Sequence, residues 1–204
     1  MLMRLTIPNQ LTLLRIALIP LFLFYYVKGE PRDQLIASGI FALASITDWY
    51  DGWYARRFGV ITRWGQFMDP LADKLLVSSA LIIFAWLGYI HWWMVWVIVG
   101  RDLMVTIIRI YALNQGSPIV THGLAKWKTF IQMVTIFFIL VYINWLNMSG
   151  NGEVAYQARY FDAVGILMLT VTFLTLMSAI IYIQSNWKLI MQMFKKMFNL
   201  AAEI

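Results

Sequence analysis

The 204-residue sequence contains no cysteine, which excludes disulfides and thiolate metal sites and leaves the redox compartment open. Histidine is almost missing as well. His91 and His122 are the only two; they stand far apart and cannot by themselves build a zinc site. Charge is scarce: 13% of residues are charged and 61% are hydrophobic, where a soluble domain carries about a quarter charged residues. This depletion excludes an ordinary soluble domain and points to a membrane protein. Acidic residues are fewest, ten against sixteen Lys and Arg, for a net charge of +6. The bases are scattered between apolar runs. That pattern sets membrane orientation and gives no sign of nucleic-acid binding. Internal repeats and low-complexity segments are absent, and no small-residue cleavage site follows the first apolar stretch, so that stretch is expected to be a retained span.

What is present is a series of apolar runs. A membrane helix needs roughly 20 mostly apolar residues, and six segments qualify: about 11–27, 35–53, 71–90, 92–113, 130–146 (or from Gly123) and 160–183. Turn residues separate them: Gly29, Pro31 and Asp33; Gly59 and Gly65; Gly88; Gly116 and Pro118; Gly150, Asn151 and Gly152. The predicted fold class is an all-α integral membrane protein of six transmembrane helices, forming one domain over residues 1–204. A short interfacial segment, 1–9, precedes the first helix. Numbering the loops alternately puts Arg4, Arg56, Arg57, Arg63, Lys126, Lys128, Lys188, Lys195 and Lys196 on one side, and Lys28, Arg32 and Arg159 on the other. The basic side is predicted cytoplasmic, with both termini there. Segment 187–198 has the pattern of a basic amphipathic helix lying on an anionic leaflet.

Chemistry concentrates in residues 48–73. Asp48, Asp51, Gly52 and Ala55 fall at i, i+3, i+4 and i+7, one stripe of a helix. Asp69 and Asp73, at i and i+4, share a face of the next helix, and Gly65 joins it if that helix starts early enough. Ionisable residues near membrane depth are costly and usually functional. Two such faces pressed together place four carboxylates around a small volume, where they repel unless neutralised. All-oxygen ligand sets suit Mg²⁺ or Mn²⁺. Four carboxylates can hold two ions at the ~3.5–4 Å spacing that clamps phosphoryl oxygens. Gly52 and Ala55 would let a substrate approach the backbone, although small residues in membrane helices more often serve packing. Arg56, one turn beyond Gly52, suits a phosphate. A solvated loop pairing these aspartates with Arg56, Arg57, Arg63 and Lys74 is the plainer alternative. Asn9 and Thr12 open the first span on the same side, placed to touch a substrate bound there, and Asn9 is equally suited to capping that helix.

The run Asp48-x2-Asp51-Gly52-x2-Ala55-Arg56-x8-Gly65-x3-Asp69-x3-Asp73 resembles the complete signature of the CDP-alcohol phosphatidyltransferase family. The resemblance implies a six-helix membrane fold, a two-metal site on the cytoplasmic side, a homodimer, and CDP-diacylglycerol as donor. It implies Asp48, Asp51, Asp69 and Asp73 as metal ligands, with Asp73 also the proton acceptor. Gly52, Arg56 and Thr62 match donor-binding positions. The segments 7–15 (IPNQLTLLR), 101–109 (RDLMVTIIR) and 126–129 (KWKT) are similar to the bacterial phosphatidylglycerophosphate synthase branch, which implies glycerol 3-phosphate as acceptor and a bacterial inner membrane. Ala125 departs from the glycine expected before KWKT.

The charges fit an anionic acceptor. Arg101 and Arg109 lie in an apolar helix on faces only ~80° apart, with Asp102 as the nearby acid and Lys126 and Lys128 at the neighbouring cytoplasmic end. These four are the expected acceptor-phosphate residues. Lysines at cytoplasmic ends also serve orientation alone. Another acceptor (phosphatidylglycerol, serine or an inositol phosphate), a divalent-cation transporter and an inactive scaffold are the competing readings. The acids cluster at one end of the spans, which argues against an ion pathway.

Overall fold

A computed structural model describes residues 7–59, 63–114, 123–149, 156–187 and 189–193. Six long helices carry the chain: α1 (Ile7–Val27), α2 (Pro31–Phe58), α3 (Arg63–Trp86), α4 (Trp92–Asn114), α5 (Gly123–Met148) and α6 (Ala163–Ser185). A short helical stretch at 189–193 follows, and no strand occurs among the described residues. Each of the six expected spans is therefore a helix. The helices run past the apolar windows wherever polar residues continue the same turn. α2 extends through Arg57 and Phe58, and α3 begins at Arg63, ahead of the apolar run. α1 starts at Ile7, so residues 7–9 form its first turn. Only residues 187 and 189–193 of the basic 187–198 segment, and 7–9 of the N-terminal segment, are among those described.

At 1.5 Å per residue, each helix is long enough to cross the hydrocarbon core. By length and apolarity together, α1, α5 and α6 qualify as membrane spans. The other three carry the charged residues of the acid cluster and its surroundings, so their windows fall short on composition. The exterior is apolar, with Leu21, Phe24, Ile46, Ile107, Phe130, Val141 and Phe173 all exposed. Exposed tryptophans gather at both ends of the helices. Trp49, Trp53, Trp127 and Trp187 lie at one end, and Trp86, Trp92, Trp93 and Trp145 at the other. Tryptophan is enriched at membrane–water interfaces.

α1 packs most extensively on α2 and then on α3, while α6 packs on α5 and α4. The core is aromatic where the first three helices meet. Phe22 lies 5.5 Å from Phe41 and 5.4 Å from Tyr26, and Tyr26 lies 5.6 Å from Phe84. Fully buried Ala37, Ala44, Ala72 and Ala80 let the backbones come close around these rings. Polar pairs adjoin these rings, Tyr89 lying 6.5 Å from Phe84: Gln34 donates to Tyr89 at 3.2 Å, Asn147 to Gln34 at 2.6 Å, and Asn144 to Ser38 at 2.8 Å. Asp162 caps α6 by accepting from the Gly165 amide at 2.7 Å and also accepts from the Tyr156 hydroxyl. Burial, and then this bond to Asp162, holds the Tyr156 hydroxyl well above the usual tyrosine range. The backbone of residues 159–160 presses on Gly165, where an added Cβ would lie 1.9 Å from the Arg159 carbonyl; only glycine fits there.

Candidate active site

The site is the continuation of the core stripes into polar residues. On α2 the buried positions Gln34, Ala37, Phe41, Ala44 and Thr47 lead to Asp51, with Asp48 beside it. On α3 the stripe of Ala80, Leu76 and Ala72 runs back to Asp73 and Asp69, and then to buried Gly65. On α1 it runs from Phe22 and Leu18 to Arg15, Thr12 and Asn9. Helical period therefore delivers four acids and one base to the place where α1, α2 and α3 meet. Just beyond, Gly59 ends α2 in a left-handed turn, φ 64°.

The four aspartates converge as the sequence predicts. Asp48 feels the negative charge of Asp69 and Asp73, and Asp51 that of Asp48 and Asp69. Arg15, with no exposed surface, answers part of this charge. Its Nη2 donates to the Asp51 carboxylate, and its Nη1 stands 2.6 Å from Asp48 Oδ1. The second contact is an ion pair without hydrogen-bond alignment, since Nη1 finds no aligned acceptor. Thr12 Oγ1 lies 2.5 Å from Asp69 Oδ1 and 3.0 Å from the Pro8 carbonyl; its single hydrogen serves one or shares both. Asp48 is the accessible member, its side chain 42% exposed, whereas Asp51 is 5% exposed. Among the described residues, no three acidic or His side chains stand in ready metal-holding geometry. The donor set nonetheless fits hard divalent cations, being four convergent carboxylates with only one buried guanidinium between them.

A second cluster adjoins the first. Asp102 of α4, 3% exposed, is surrounded by cations from three helices. Lys128 of α5 donates to it at 2.7 Å, Arg101 donates at 3.0 Å, and Lys74 of α3 lies 3.6 Å away. Lys74 also lies 3.5 Å from Asp73, so it bridges the clusters. Three positive charges thus face one acid of their own and a share of Asp73, which leaves the cluster positive overall. Of the expected acceptor residues, the structure brings Arg101 and Lys128 together. Arg109, two turns further along α4, is exposed, and its charge is felt at Tyr182 of α6. Thr62 lies outside the described residues, as do the side chains of Ala55, Arg56 and Lys126. Gly52 is half-buried on α2, and Asn9 is buried on α1. His91 stacks on Tyr160 at 4.1 Å at the opposite end, and His122 is outside the described residues.

Sequence reasoning misses Arg15 as a member of the site, offers Lys74 only as an aspartate partner in the solvated-loop alternative, where the structure does pair it with Asp73, and sees Asp102 only as a neighbour of the arginines. A signal for Arg15 was present: it is a lone cation inside an apolar run, at i+3 from Thr12, where an ionisable residue needs a partner.

Residues 5–199 match the family described as CDP-alcohol phosphatidyltransferase. The CDP-diacylglycerol–glycerol-3-phosphate 3-phosphatidyltransferase of Bacillus subtilis (strain 168) is 33% identical over 194 residues, which cover 89% of this chain and 95% of that protein. The protein of that name from Rickettsia bellii is 31% identical over 180 residues, 88% of this chain and 94% of the other. A probable phosphatidylglycerophosphate synthase of Mycobacterium tuberculosis (strain H37Rv) is 40% identical over 167 residues, covering 80% and 76%. With its aspartate signature on two packed helices and a family match over nearly its whole length, this multi-pass membrane protein belongs to the CDP-alcohol phosphatidyltransferase family.

Proposed function

We propose that the enzyme transfers the phosphatidyl group of CDP-diacylglycerol to glycerol 3-phosphate, giving phosphatidylglycerophosphate and CMP. One observation carries the reading: a net-positive cluster on Asp102 adjoins the four-aspartate cluster through Lys74, which lies within 4 Å of both Asp73 and Asp102. An anionic acceptor and a diphosphate donor are the substrates such a pair of clusters suits. The names of the relatives from B. subtilis and R. bellii give the same chemistry.

Family members are generally dependent on divalent metals. Asp48, Asp51, Asp69 and Asp73 would hold two ions, Mg²⁺ or Mn²⁺, which when bound supply positive charge to the donor's diphosphate. The chain's own residues do the rest. Arg101 and Lys128 hold the acceptor phosphate, assisted by Lys126, while Arg109 stands further out along α4. Asn9, Thr12, Gly52, Ala55, Arg56, Thr62 and Gly65 border the donor. Asp73 accepts the proton of the acceptor hydroxyl. That oxygen forms its bond to the lipid-linked phosphorus as the bond from phosphorus to the CMP oxygen breaks. The acyl chains stay in the bilayer, and the site faces the cytoplasm of a bacterial inner membrane. All six helices cross, with both termini inside, as the basic loops and the two tryptophan belts suggest. A homodimer is the working assembly.

An acceptor screen tests the reading. Purified protein with labelled CDP-diacylglycerol and Mg²⁺ or Mn²⁺ receives glycerol 3-phosphate, serine, inositol phosphate or phosphatidylglycerol. CMP release and phosphatidylglycerophosphate with glycerol 3-phosphate alone is expected. Turnover with another acceptor instead would keep the family chemistry and reject the acceptor. Inactivity with all four, in folded protein, would bring the transport and scaffold readings forward.

A further inference from the structure

Beside the cation cluster, α5 carries a polar stripe that the bundle leaves unanswered. Lys128, Gln132 and Thr135 stand at i, i+4 and i+7 and are 1%, 2% and 1% exposed. Lys128 is satisfied by Asp102. Gln132 is not: neither its Nε2 nor its Oε1 has a partner, and Thr135 Oγ1 also has none. Across the α5–α6 contact, the buried hydroxyls of Thr172, Thr175 and Ser178 spend their hydrogens on carbonyls of their own helix. On α4, the Arg101 Nε is likewise buried without an acceptor. A buried primary amide that binds nothing is strongly disfavoured in an apolar bundle. It lies one helical turn from the Lys128 ammonium, the distance at which side chains on one helix face are neighbours. The orphan amide of Gln132 and the Arg101 Nε thus sit with the cations, where a phosphorylated acceptor would be held.

We infer that Gln132 is a specificity residue: its amide hydrogen-bonds the acceptor hydroxyl that does not react, while Arg101 and Lys128 hold the phosphate. An amide suits a hydroxyl because it can accept the hydroxyl hydrogen at Oε1 and donate to the oxygen from Nε2. Serine or a larger polyol phosphate would present its polar groups at other distances from the phosphate-binding cations. The inference rests on the glycerol 3-phosphate reading above and adds to it the means by which the free hydroxyl is recognised.

The test compares glycerol 3-phosphate with 3-hydroxypropyl phosphate, which keeps the phosphate and the reacting hydroxyl and lacks the middle one. Wild-type enzyme is expected to favour glycerol 3-phosphate in kcat/KM by about tenfold or more, the ratio one hydrogen bond to substrate supports. In Gln132→Met, which keeps the side-chain length, glycerol 3-phosphate should lose that advantage, mainly through KM, while the truncated acceptor is unaffected. Thermal stability in detergent should be unchanged or raised, since an orphan amide is removed. An equal loss with both acceptors, an unaltered ratio, or a variant that fails to fold would each overturn the inference. The last outcome would mean the amide supports the fold. A wild type inactive on glycerol 3-phosphate sinks the acceptor reading and this inference with it. A wild type that discriminates while Gln132→Met discriminates equally sinks the inference alone.

Discussion

A guanidinium with no exposed surface persists inside an apolar helix only if its charge is met, and Arg15 meets two carboxylates from α2. The pair with Asp51 is buried on both sides, while Asp48 is partly solvated. Most of the energetic consequence therefore lies with Asp51. Removing one partner of a buried pair typically costs ~3–5 kcal/mol, because the other charge is left uncompensated. Here the penalty is compounded by Asp69, whose charge also reaches Asp51. Arg15→Met is therefore expected to lower unfolding stability in detergent by about 3 kcal/mol without added divalent ions, and by less with Mg²⁺ or Mn²⁺ present, since cations would take over the neutralising role. Thermal unfolding with and without metal checks this, and an equal loss in both conditions would show that Arg15 does not share the carboxylates with the ions. At this scale, spacing alone revealed the aspartates, because Asp48 with Asp51 and Asp69 with Asp73 are close in sequence. It could not reveal Arg15, whose partners lie 36 residues away in the case of Asp51, because nothing in a single helix's periodicity says which neighbour it will meet.

Helices α3, α4 and α5 each contribute one cation to Asp102, so this carboxylate ties α5 to α3 and α4, which already pack on each other. α3 and α5 touch only sparsely, and the Lys74–Asp102–Lys128 chain connects them. Asp102→Asn leaves three cations facing a neutral amide and should destabilise the bundle. Asp102→Asn with Lys128→Gln removes one of those cations and should recover part of the loss. A double-mutant cycle on unfolding free energy is expected to give a coupling of about 1–3 kcal/mol, the range for contacting charged residues. Additive losses would mean that the two groups stabilise separate contacts. Element existence was plain from apolar length, and all six helices appear where they were expected. Their ends were less plain. Hydropathy stops counting at the first charges, but the backbone does not: α2 continues through the acid cluster to Gly59, and α3 begins at Arg63, before the apolar run resumes. The expected grouping of Arg109 with Arg101 treated faces ~80° apart as equivalent. In the folded helix, that rotation is enough to bury one and expose the other.

For the whole molecule, the arrangement of charge and tryptophan sets a direction. Both clusters lie toward the end defined by the start of α1, the end of α2 and the starts of α3 and α5. The opposite end is held by the neutral pairs Gln34–Tyr89, Asn147–Gln34 and Asn144–Ser38, beside a single ion pair, Lys28–Asp33, among the described residues. Lysine and arginine in the loops predict that the clustered end faces the cytoplasm. The missing cysteines make this directly measurable, because any introduced thiol is the only one in the protein. Glu30 and Arg57 are both exposed and sit at opposite ends of α2. In intact bacterial cells stripped of their outer membrane, a membrane-impermeant maleimide should label Glu30→Cys and leave Arg57→Cys unmodified until the membrane is opened. The reverse pattern would invert the topology and place the aspartates outside, away from cytoplasmic glycerol 3-phosphate. Labelling of both in sealed cells would mean that α2 does not cross the bilayer. In that case its charged end would be an interfacial segment, and the six-span arrangement would give way to one built on α1, α5 and α6, the helices that qualify as spans by length and composition.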